Sequence, residues 1–504
     1  MSELTTTARQ PKDRLVNSFS FLIPAKKYTV DFDITATNSL PAFLEISIYL
    51  LDTLKSLSPY ELQSFLGISD DEREELLRQI ISIDLAFLND DGVLESTHKL
   101  NELKQNDGTI QLEGIERHTS SFHIDLLSGH IQPRASSSNT SGFHEVISED
   151  ILYKELDADT IFKNDFNRFK YCSKVESIKK IKTRLYRINS CHYDKLISFP
   201  ASVDIYSQWQ SDGRLKMHSS LSGFDSENLD IVVNSGLLGH INTILNQQPK
   251  QCDTLSLQSF CSYVQDDILV KYEGDEGVFN VEKYLRDRDN RKTGYGSSKT
   301  SGIIGPIFLP HNKGSFLNWL ARTPKIQPVL WIPASTPYWG ASLHSRAFYE
   351  QTAELLPKKL SSLSLAFPKV VSGQEKYAYR QQYSGIADVL LSFQNAVPLN
   401  EMEIMIVPGS PCWAMAQYHA RIPPAYGLRN IRIPIGYTTY DQDRVKLLWE
   451  LALKRLGFDN PKHVEMLGDG QLPPEVLECL SCTHDWSEHS DFAGVFGDEI
   501  NTVD

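Results

Sequence analysis

Small polar residues follow three short apolar segments in the C-terminal third of the chain, and their chemistry suits an anion. Ser335 and Thr336 follow the first segment, Gly409 and Ser410 follow the second, and Thr438 follows the third. Hydroxyl groups and backbone amides at a helix start donate hydrogen bonds to anions, and the helix dipole favours negative charge there. These five residues are therefore the predicted anion-binding set.

Two histidines in the same region have side chains that transfer protons near neutral pH. His344 and His419 therefore qualify as a general acid or base. Small polar residues also cap helices in every α/β protein, so the anion-binding set is equally compatible with a structural role. The sequence contains no nucleophile elbow, paired-histidine metal motif or phosphate-binding loop. We therefore assign no catalytic residue.

The densest run of positive charge lies near the middle of the chain. On an extended strand Lys180, Lys182, Arg184 and Tyr186 share one face, and such a face can follow a phosphate backbone. The alternative is an ordinary solvated face whose charges offset acidic residues elsewhere. The predicted nucleic-acid-binding set is Lys174, Lys179, Lys180, Lys182, Arg184 and Arg187.

Residues that bind zinc in other proteins occur near the C-terminus. Cys479, Cys482, His484 and His489 have thiol and imidazole groups, but their spacing is shorter than in the common zinc fingers. A chance cluster in an acidic tail explains the same residues. We predict no metal ion and no other cofactor.

The anion-binding set must be positioned by the elements around it, and the pattern there repeats strand, small polar loop and helix. Parallel strands in such an α/β layer bring their following loops to one edge of the sheet. We therefore expect the loops to converge and the two histidines to lie elsewhere, which gives a binding surface without catalysis. The predicted strands are Val329–Ile332, Ile404–Val407 and Ile431–Ile435. One predicted helix begins near Leu343, and two others span Cys412–Ala420 and Asp441–Leu456.

A second organised region lies between Pro41 and Glu95. The first helix has apolar residues at helical spacing, including Phe43, Ile46, Leu50 and Leu54. Two further helices begin at capping signatures, Ser58-Pro59-Tyr60-Glu61 and Ser69-Asp70-Asp71-Glu72. Two short apolar runs around a turn that ends in Asp-Gly then predict a hairpin.

Three helices and a hairpin in this order resemble a winged helix. The resemblance covers about a tenth of the chain, and it implies a fold rather than a function. It implies that Leu50, Leu54, Leu76 and Ile80 are buried together. Five carboxylates at the start of the third helix would repel DNA phosphates. The pattern therefore favours a protein–protein or dimerisation role, or packing against the rest of this chain, over direct groove reading. Those carboxylates belong to Asp70, Asp71, Glu72, Glu74 and Glu75.

The composition is that of a globular protein with several domains. The chain has 504 residues, of which 41% are hydrophobic and 23% charged, and its formal net charge is −14. An acidic chain binds nucleic acid only through a local basic face. No run of eighteen apolar residues predicts a membrane span, and seven scattered cysteines predict reduced thiols in the cytoplasm.

These observations predict an α+β multidomain protein with an N-terminal winged helix, a mixed α/β middle and a C-terminal α/β layer containing some parallel strands. We expect an accessory or adaptor protein that acts with nucleic acid and a partner protein, as in bacterial defence or mobile-element systems. An enzyme of nuclease or phosphodiesterase type acting on a phosphate-containing substrate and a purely structural interaction protein are the alternatives. The predicted divisions are 1–40 as an arm with a strand, 41–100 as the winged helix, 101–144 as a connector, 145–310 as a mixed domain, 311–470 as the α/β domain and 471–504 as an acidic tail.

Overall fold

The structure is a computed structural model in which most of the chain is described. The described residues are 13–39, 41–103, 111–133, 142–146, 149–173, 176–179, 183–224, 226–247, 253–274, 277–359, 361–429, 431–468 and 471–486.

Helices and strands alternate irregularly along the chain, and short 3-10 turns, including those at 269–272, 356–359, 424–426 and 461–463, join some of them. The first half contains β1 (Arg14–Ser39), α1 (Ala42–Leu54), β2 (Ser56–Leu57), α2 (Pro59–Leu66), α3 (Asp70–Ser82), β3 (Ala86–Leu88), β4 (Leu94–Ser96), α4 (His98–Leu103), β5 (Gln111–Asp125), β6 (His144–Glu145), α5 (Glu149–Leu152), α6 (Ala158–Asn164), α7 (Phe166–Cys172), α8 (Glu176–Lys179), β7 (Arg184–Trp209), β8 (Leu215–Ser222), α9 (Ser226–Val233) and α10 (Leu237–Asn246). The second half contains α11 (Leu257–Val264), α12 (Val281–Asp289), β9 (Thr300–Ile304), α13 (Gly314–Arg322), β10 (Val329–Ile332), α14 (Leu343–Leu355), β11 (Leu363–Phe367), α15 (Gln374–Tyr383), β12 (Val389–Phe393), β13 (Met402–Val407), β14 (Trp413–Arg421), β15 (Arg432–Thr439), α16 (Gln442–Leu456), β16 (Val464–Met466) and α17 (Pro474–Ser481).

Two unusually long strands, β1 and β7, organise the N-terminal half. They pair antiparallel along most of their length, in a sheet of order β5-β1-β7-β8 whose β1 also pairs with β6. From Ala25 onward β1 lies between β5 and β7, and we call this three-stranded part the β arm. Aromatic side chains of α6 and α7 cover one face of the β arm, where Phe162 and Phe169 pack on Phe32.

Several sequence expectations for this half need correction. The strand predicted within residues 1–40 is the much longer strand β1, which includes both Phe19 and Val30. Residues 111–121 were expected to be a connector, but they form strand β5 because they pair with the end of β1. Residues 134–141, which belong to the predicted connector, lie outside the described residues.

Residues 42–96 form a small module inserted between β1 and β5, at the end of the β arm. Its three helices and hairpin occur in the predicted order, and a third strand, β2, completes a sheet of order β2-β4-β3. This arrangement resembles the winged helix that the sequence predicts. Both predicted capping boxes are present, at Ser58 with Glu61 and at Ser69 with Glu72.

The core of this module differs in part from the predicted one. Leu76 and Ile80 are buried as expected, but Leu50 is half-buried and Leu54 is 54% exposed. The reason is the orientation of α1, which packs through Leu44, Ile48 and Leu51 and turns the predicted apolar face outward. The prediction that Leu54 is buried is therefore wrong.

An eight-stranded sheet of order β16-β12-β11-β10-β13-β14-β15-β9 forms the C-terminal half. Strands β10, β11 and β12 are parallel to one another, so the α/β layer with some parallel strands is confirmed. The neighbouring strands β13, β14, β15 and β9 are antiparallel. The whole chain is thus a mixed α+β protein with several sheets.

Two local predictions in this sheet are wrong. The segment Cys412–Ala420 was expected to be helical, but residues 413–421 form β14. Residues 436–439 were expected to be a loop, but they continue β15. A short apolar run does not distinguish a buried strand from a buried helix, and here the hairpin with β13 decides for a strand.

Among the described residues no helix has both the length and the apolar character needed to cross a bilayer.

Candidate functional site

The five predicted anion-binding residues do not meet. Strand β10 runs antiparallel to β13, so Ser335 and Thr336 lie beside the start of β13, where the Ser335 amide donates to the Asn400 carbonyl. Gly409 and Ser410 follow the opposite end of β13. Thr438 lies at that same end, because β15 and β13 are both antiparallel to β14. The prediction that the three loops converge at one edge of the sheet is therefore wrong.

The two histidines also separate. His344 is in the first turn of α14, where its Nε2 lies 3.8 Å from Asp204 Oδ1. His419 is buried on β14, and its Nδ1 lies 3.3 Å from Thr336 Oγ1. One predicted hydroxyl and one predicted histidine thus meet, although the loops do not converge.

His419 is held by a carboxylate that the sequence reading did not select. Its Nε2 lies 2.6 Å from Oε2 of Glu403 on the neighbouring strand β13. Glu403 also accepts hydrogen bonds from two indole N–H groups, those of Trp331 at 2.8 Å and Trp339 at 3.0 Å. His419 and Glu403 are almost fully buried, whereas Thr336 is partly exposed. The Thr336 hydroxyl, the His419 imidazole and the Glu403 carboxylate thus contact one another in that order.

Further charged groups surround these three side chains. Arg432 on β15 donates to the His419 carbonyl oxygen at 3.1 Å and to Asp253 at 2.5 Å. Arg455 on α16 is also fully buried and donates to the carbonyl oxygens of Pro333 and Leu399. Burial lowers the pKa of Arg455 to about 9, against the opposing effect of Glu403 and its neighbour Glu401. The buried carboxylates therefore face two guanidinium groups.

Thr336, His419 and Glu403 line a narrow cleft between the end of the large sheet and strand β1. The cleft has a volume of about 40 Å³, which is room for about three water molecules at roughly 10–15 Å³ each. The other walls are mainly aromatic and proline side chains, with Asn17, Ser18 and Arg432 as polar groups. The apolar part consists of Phe19, Leu245, Pro306, Phe308, Pro337, Tyr338, Trp339, Ile431 and Pro434.

A signal for this site was present in the sequence. Glu403 interrupts a strand that is otherwise apolar, and His419 lies in one that is mostly apolar. Ionisable residues are rarely fully buried unless they have partners. Such residues within Met402–Val407 and Trp413–Arg421 indicate paired interior groups. The two tryptophans gave no comparable signal, because large aromatic residues are common in cores.

The basic run is divided by the structure. Lys179 is exposed at the end of the four-residue helix α8, so the basic run is not one continuous strand. Arg184 and Arg187 are exposed at the start of β7, and Arg187 donates to Asp33 at 2.6 Å. Lys174, Lys180 and Lys182 lie outside the described residues.

The Cys-His cluster is partly described. His484 Nε2 lies 2.9 Å from the Cys479 carbonyl oxygen, and Cys482 Sγ lies 3.7 Å from His484 Nδ1. Burial raises the pKa of the Cys479 thiol to about 12. His489 is not among the described residues, and within those no group of three or more His, Cys, Asp or Glu side chains is arranged to hold a metal ion.

The winged-helix-like module has a distinctive surface charge. Residues 41–100 contain twelve Asp and Glu but four Lys and Arg, a formal charge of −8. Each of those four cations is engaged inside the module. Arg73 pairs with Asp70, Arg78 with Glu75 and Lys55 with Asp52, while Lys99 donates to the Ile83 carbonyl.

The same module exposes an apolar stripe along α1. Phe43 is 56% exposed, Ile46 43% and Leu54 54%, and Leu50 between them is half-buried. Their spacing of three, four and four residues brings them onto one side of the helix. We call these four residues the α1 stripe.

Comparison with protein-family models gives no match, and comparison with curated protein sequences gives none. Among solved structures, the chain is similar to TrmBL2, an archaeal chromatin protein described as showing a novel mode of DNA binding, at 8% identity and a TM-score of 0.20. That alignment covers 82% of this chain and 92% of TrmBL2. The chain is also similar to polyphosphate kinase from Porphyromonas gingivalis at 12% identity and a TM-score of 0.22, over 52% of this chain and 39% of that kinase. At these TM-scores neither similarity supports a functional assignment.

Proposed function

We propose that this protein is an accessory or adaptor protein whose winged-helix-like module binds a partner protein. The observation that carries the proposal is the combination of the α1 stripe with a surface whose four cations are all engaged within the module. A module of this kind offers apolar area to a protein, whereas its few Lys and Arg residues already contact groups within a strongly acidic surface.

The electrostatics favour a protein partner over DNA. A winged helix that reads DNA inserts its third helix into the major groove. Most hydrogen bonds between protein and DNA go to the backbone that flanks the groove, mainly to its phosphates. On α3 the exposed side chains include Asp71, Glu74 and Glu75, and both arginines of that helix already pair with carboxylates. Bringing this helix to a duplex would set like charges against each other at short range.

The α1 stripe determines what the partner must look like. Removing apolar surface from water gains roughly 25 cal/mol per Å², so covering four large side chains contributes a few kcal/mol to association. The acidic residues around the module then favour Lys and Arg at the rim of the partner surface, which also accelerates encounter at low salt. We therefore infer a partner with an apolar centre and a basic rim.

The test compares two double variants of the full chain. Ile46→Glu with Leu54→Glu introduces charge into the α1 stripe, and Val370→Glu with Val397→Glu adds the same charge at exposed apolar residues of the C-terminal half. Chemical cross-linking of the tagged proteins in their native cells should recover a partner joined to Lys55 or Lys99 in the wild type and in the control variant. The stripe variant should lose that partner.

Two outcomes would overturn this proposal. One is equal recovery of the same partner by the stripe variant when its circular dichroism spectrum matches the wild type. The other is tight binding of the wild-type module to duplex DNA that depends on Arg73 or Arg78, since both arginines are assigned to internal ion pairs.

A nucleic-acid contact of the adaptor is the second part of the proposal, and we infer it for the β arm rather than for the module. Arg184 and Tyr186 are exposed near the start of β7, and Lys179 is exposed in the preceding helix. A cation beside an exposed aromatic ring suits a single-stranded nucleic acid, which binds through phosphates and base stacking. The salt-dependence experiment in the Discussion tests this part separately.

A further inference from the structure

We propose that Thr336, His419 and Glu403 form a nucleophilic relay that transfers small acyl groups from esters within the cleft. This activity is independent of the docking function proposed above. It rests on the order of the three groups, on the way Glu403 is held, and on the position of the Thr336 hydroxyl at the wall of a cleft.

The hydrogen bonds to Glu403 determine the tautomer of His419. The indole N–H groups of Trp331 and Trp339 can only donate, so both oxygens of Glu403 act as acceptors. An acceptor carboxylate at 2.6 Å from His419 Nε2 requires the proton on Nε2. In the neutral ring Nδ1 then has a lone pair and accepts from the Thr336 hydroxyl at 3.3 Å.

This is the arrangement that a hydroxyl nucleophile needs. A base within hydrogen-bond reach takes the hydroxyl proton, and a buried carboxylate orients the base and stabilises the imidazolium that results. Glu403 is more firmly held than a carboxylate with a single partner, because it contacts two indoles from the β10 region and His419 from β14. These indoles fix the carboxylate without competing for the His419 Nδ1 lone pair.

The reaction balances within the relay and water. Thr336 Oγ1 attacks the carbonyl carbon of the ester while His419 Nδ1 takes its proton. The bond from that carbon to the leaving oxygen breaks, and the leaving alcohol takes the proton from His419. Water then attacks the acylated Thr336 with His419 as base, which releases a carboxylic acid and restores the hydroxyl group.

The cleft restricts the acyl group to a small one. Its volume is about 40 Å³, and its walls include the rings of Tyr338 and Trp339, which follow Thr336 closely in the chain. An acetyl-sized group fits this space, whereas the remainder of an ester must extend through the mouth of the cleft. A phosphoryl substrate is less suited, because the cleft cation Arg432 already pairs with Asp253 and lies 3.7 Å from Glu401.

The experiment uses the full chain with 4-nitrophenyl acetate as the probe. Release of 4-nitrophenol is followed with time, and the protein is then digested and its acetylated peptides are identified by mass spectrometry. The variants are Thr336→Val, which removes the hydroxyl at similar volume, Thr336→Ser, which keeps it, and His419→Gln. Ser335→Ala is the matched control, because Ser335 is exposed and does not line the cleft.

We expect acetylation of Thr336 in the wild type and in the Ser335→Ala variant, and acetylation of the introduced serine hydroxyl in the Thr336→Ser variant. The rate of nitrophenol release should fall at least about 100-fold in Thr336→Val, as for loss of a positioned general-base pair. His419→Gln should show a comparable loss while Thr336→Ser retains activity. Circular dichroism and thermal melting establish that each variant is folded.

The proposal is overturned if the folded wild type shows no acetyl group on Thr336. It is also overturned if Thr336→Val releases nitrophenol as fast as the wild type, or if acetylation is confined to lysines. A misfolded His419→Gln variant leaves the decision to the Thr336 variants, which retain the buried Glu403–His419 pair.

Discussion

His419 and Glu403 are joined by a 2.6 Å hydrogen bond inside the protein, on adjacent antiparallel strands. Glu403 is directly opposite Gln417, and His419 is two residues further along on the same face of β14. The bond therefore crosses the sheet diagonally, near the start of β13, where the loop after β10 arrives. This relationship brings together three segments that are far apart in the chain.

Replacing Glu403 by Gln should destabilise the C-terminal half. The Glu403 carboxylate accepts hydrogen bonds from His419, Trp331 and Trp339. A Gln side chain has no negative charge, and its NH₂ group would face one or more of these N–H donors. Leaving buried donors without an acceptor costs about 1–3 kcal/mol. Chemical denaturation followed by tryptophan fluorescence measures the loss. Glu450→Gln, on the exposed side of α16, is the control and should change stability by less than about 0.5 kcal/mol. Equal stability of the two variants would refute this expectation.

Replacing Leu76 by Ala should destabilise the winged-helix-like module by about 2–5 kcal/mol, because the buried side chain leaves a cavity. Leu54→Ala should change the same quantity by less than about 0.5 kcal/mol, since Leu54 lies on the surface. Native-state hydrogen exchange of amides in α1 and α3 reports the free energy of opening in the full chain. A larger effect from Leu54→Ala than from Leu76→Ala would contradict the observed orientation of α1.

The module should lose stability in acid. The backbone amides of Ser58 and Ser69 donate to Glu61 and Glu72, and these bonds, helped by the serine hydroxyls, hold the pKa of both carboxyls below the usual 4.5. A lowered folded-state pKa stabilises the fold above the unfolded value, and the stabilisation disappears as pH falls through the folded value.

Hydrogen exchange of α2 and α3, corrected for the intrinsic pH effect, should therefore show less protection once the pH falls below about 4.5. Glu61→Gln with Glu72→Gln should reduce this dependence, because Gln keeps the cap but does not titrate. Glu74→Gln is the control, because Glu74 lies on α3 with Glu72 but outside both capping boxes. An unchanged pH dependence in the double variant would show that the caps do not contribute.

Nucleic-acid binding by the β arm should depend on the basic run and on salt. Lys180→Glu, Lys182→Glu and Arg184→Glu together should weaken binding to a single-stranded oligonucleotide at low salt. Wild-type affinity should fall steeply as salt rises, because binding is favoured by the release of counterions from the phosphates and this release is less favourable at higher salt. Fluorescence anisotropy measures both effects.

The control for this experiment reverses three exposed cations elsewhere, Arg214, Lys358 and Lys446, and so changes the net charge equally. It should bind nearly as well as the wild type. Equal weakening in both triple variants, or no binding at any salt concentration, would remove the nucleic-acid part of the proposal.

Local sequence signals determined the helices of the N-terminal module. The two capping boxes and the turn before Val93 act within a few residues, so Ser58, Ser69 and Gly92 specify where elements begin and turn irrespective of distant packing. Strands β10 and β13 and the helices α14 and α16 were predictable for a related reason. Each is a short apolar or amphipathic segment bounded by polar or capping residues.

Tertiary structure decided which faces are buried and which residues meet. Leu54 has the spacing of a core residue, but α1 packs through Leu44 and Ile48 instead, and this choice depends on α3 and the small sheet. The direction of β13 relative to β10 separated Ser335 from Gly409 and joined Thr336 to His419, 83 positions away. Strand order and direction arise from pairings between distant segments, so no local pattern in this chain encodes them.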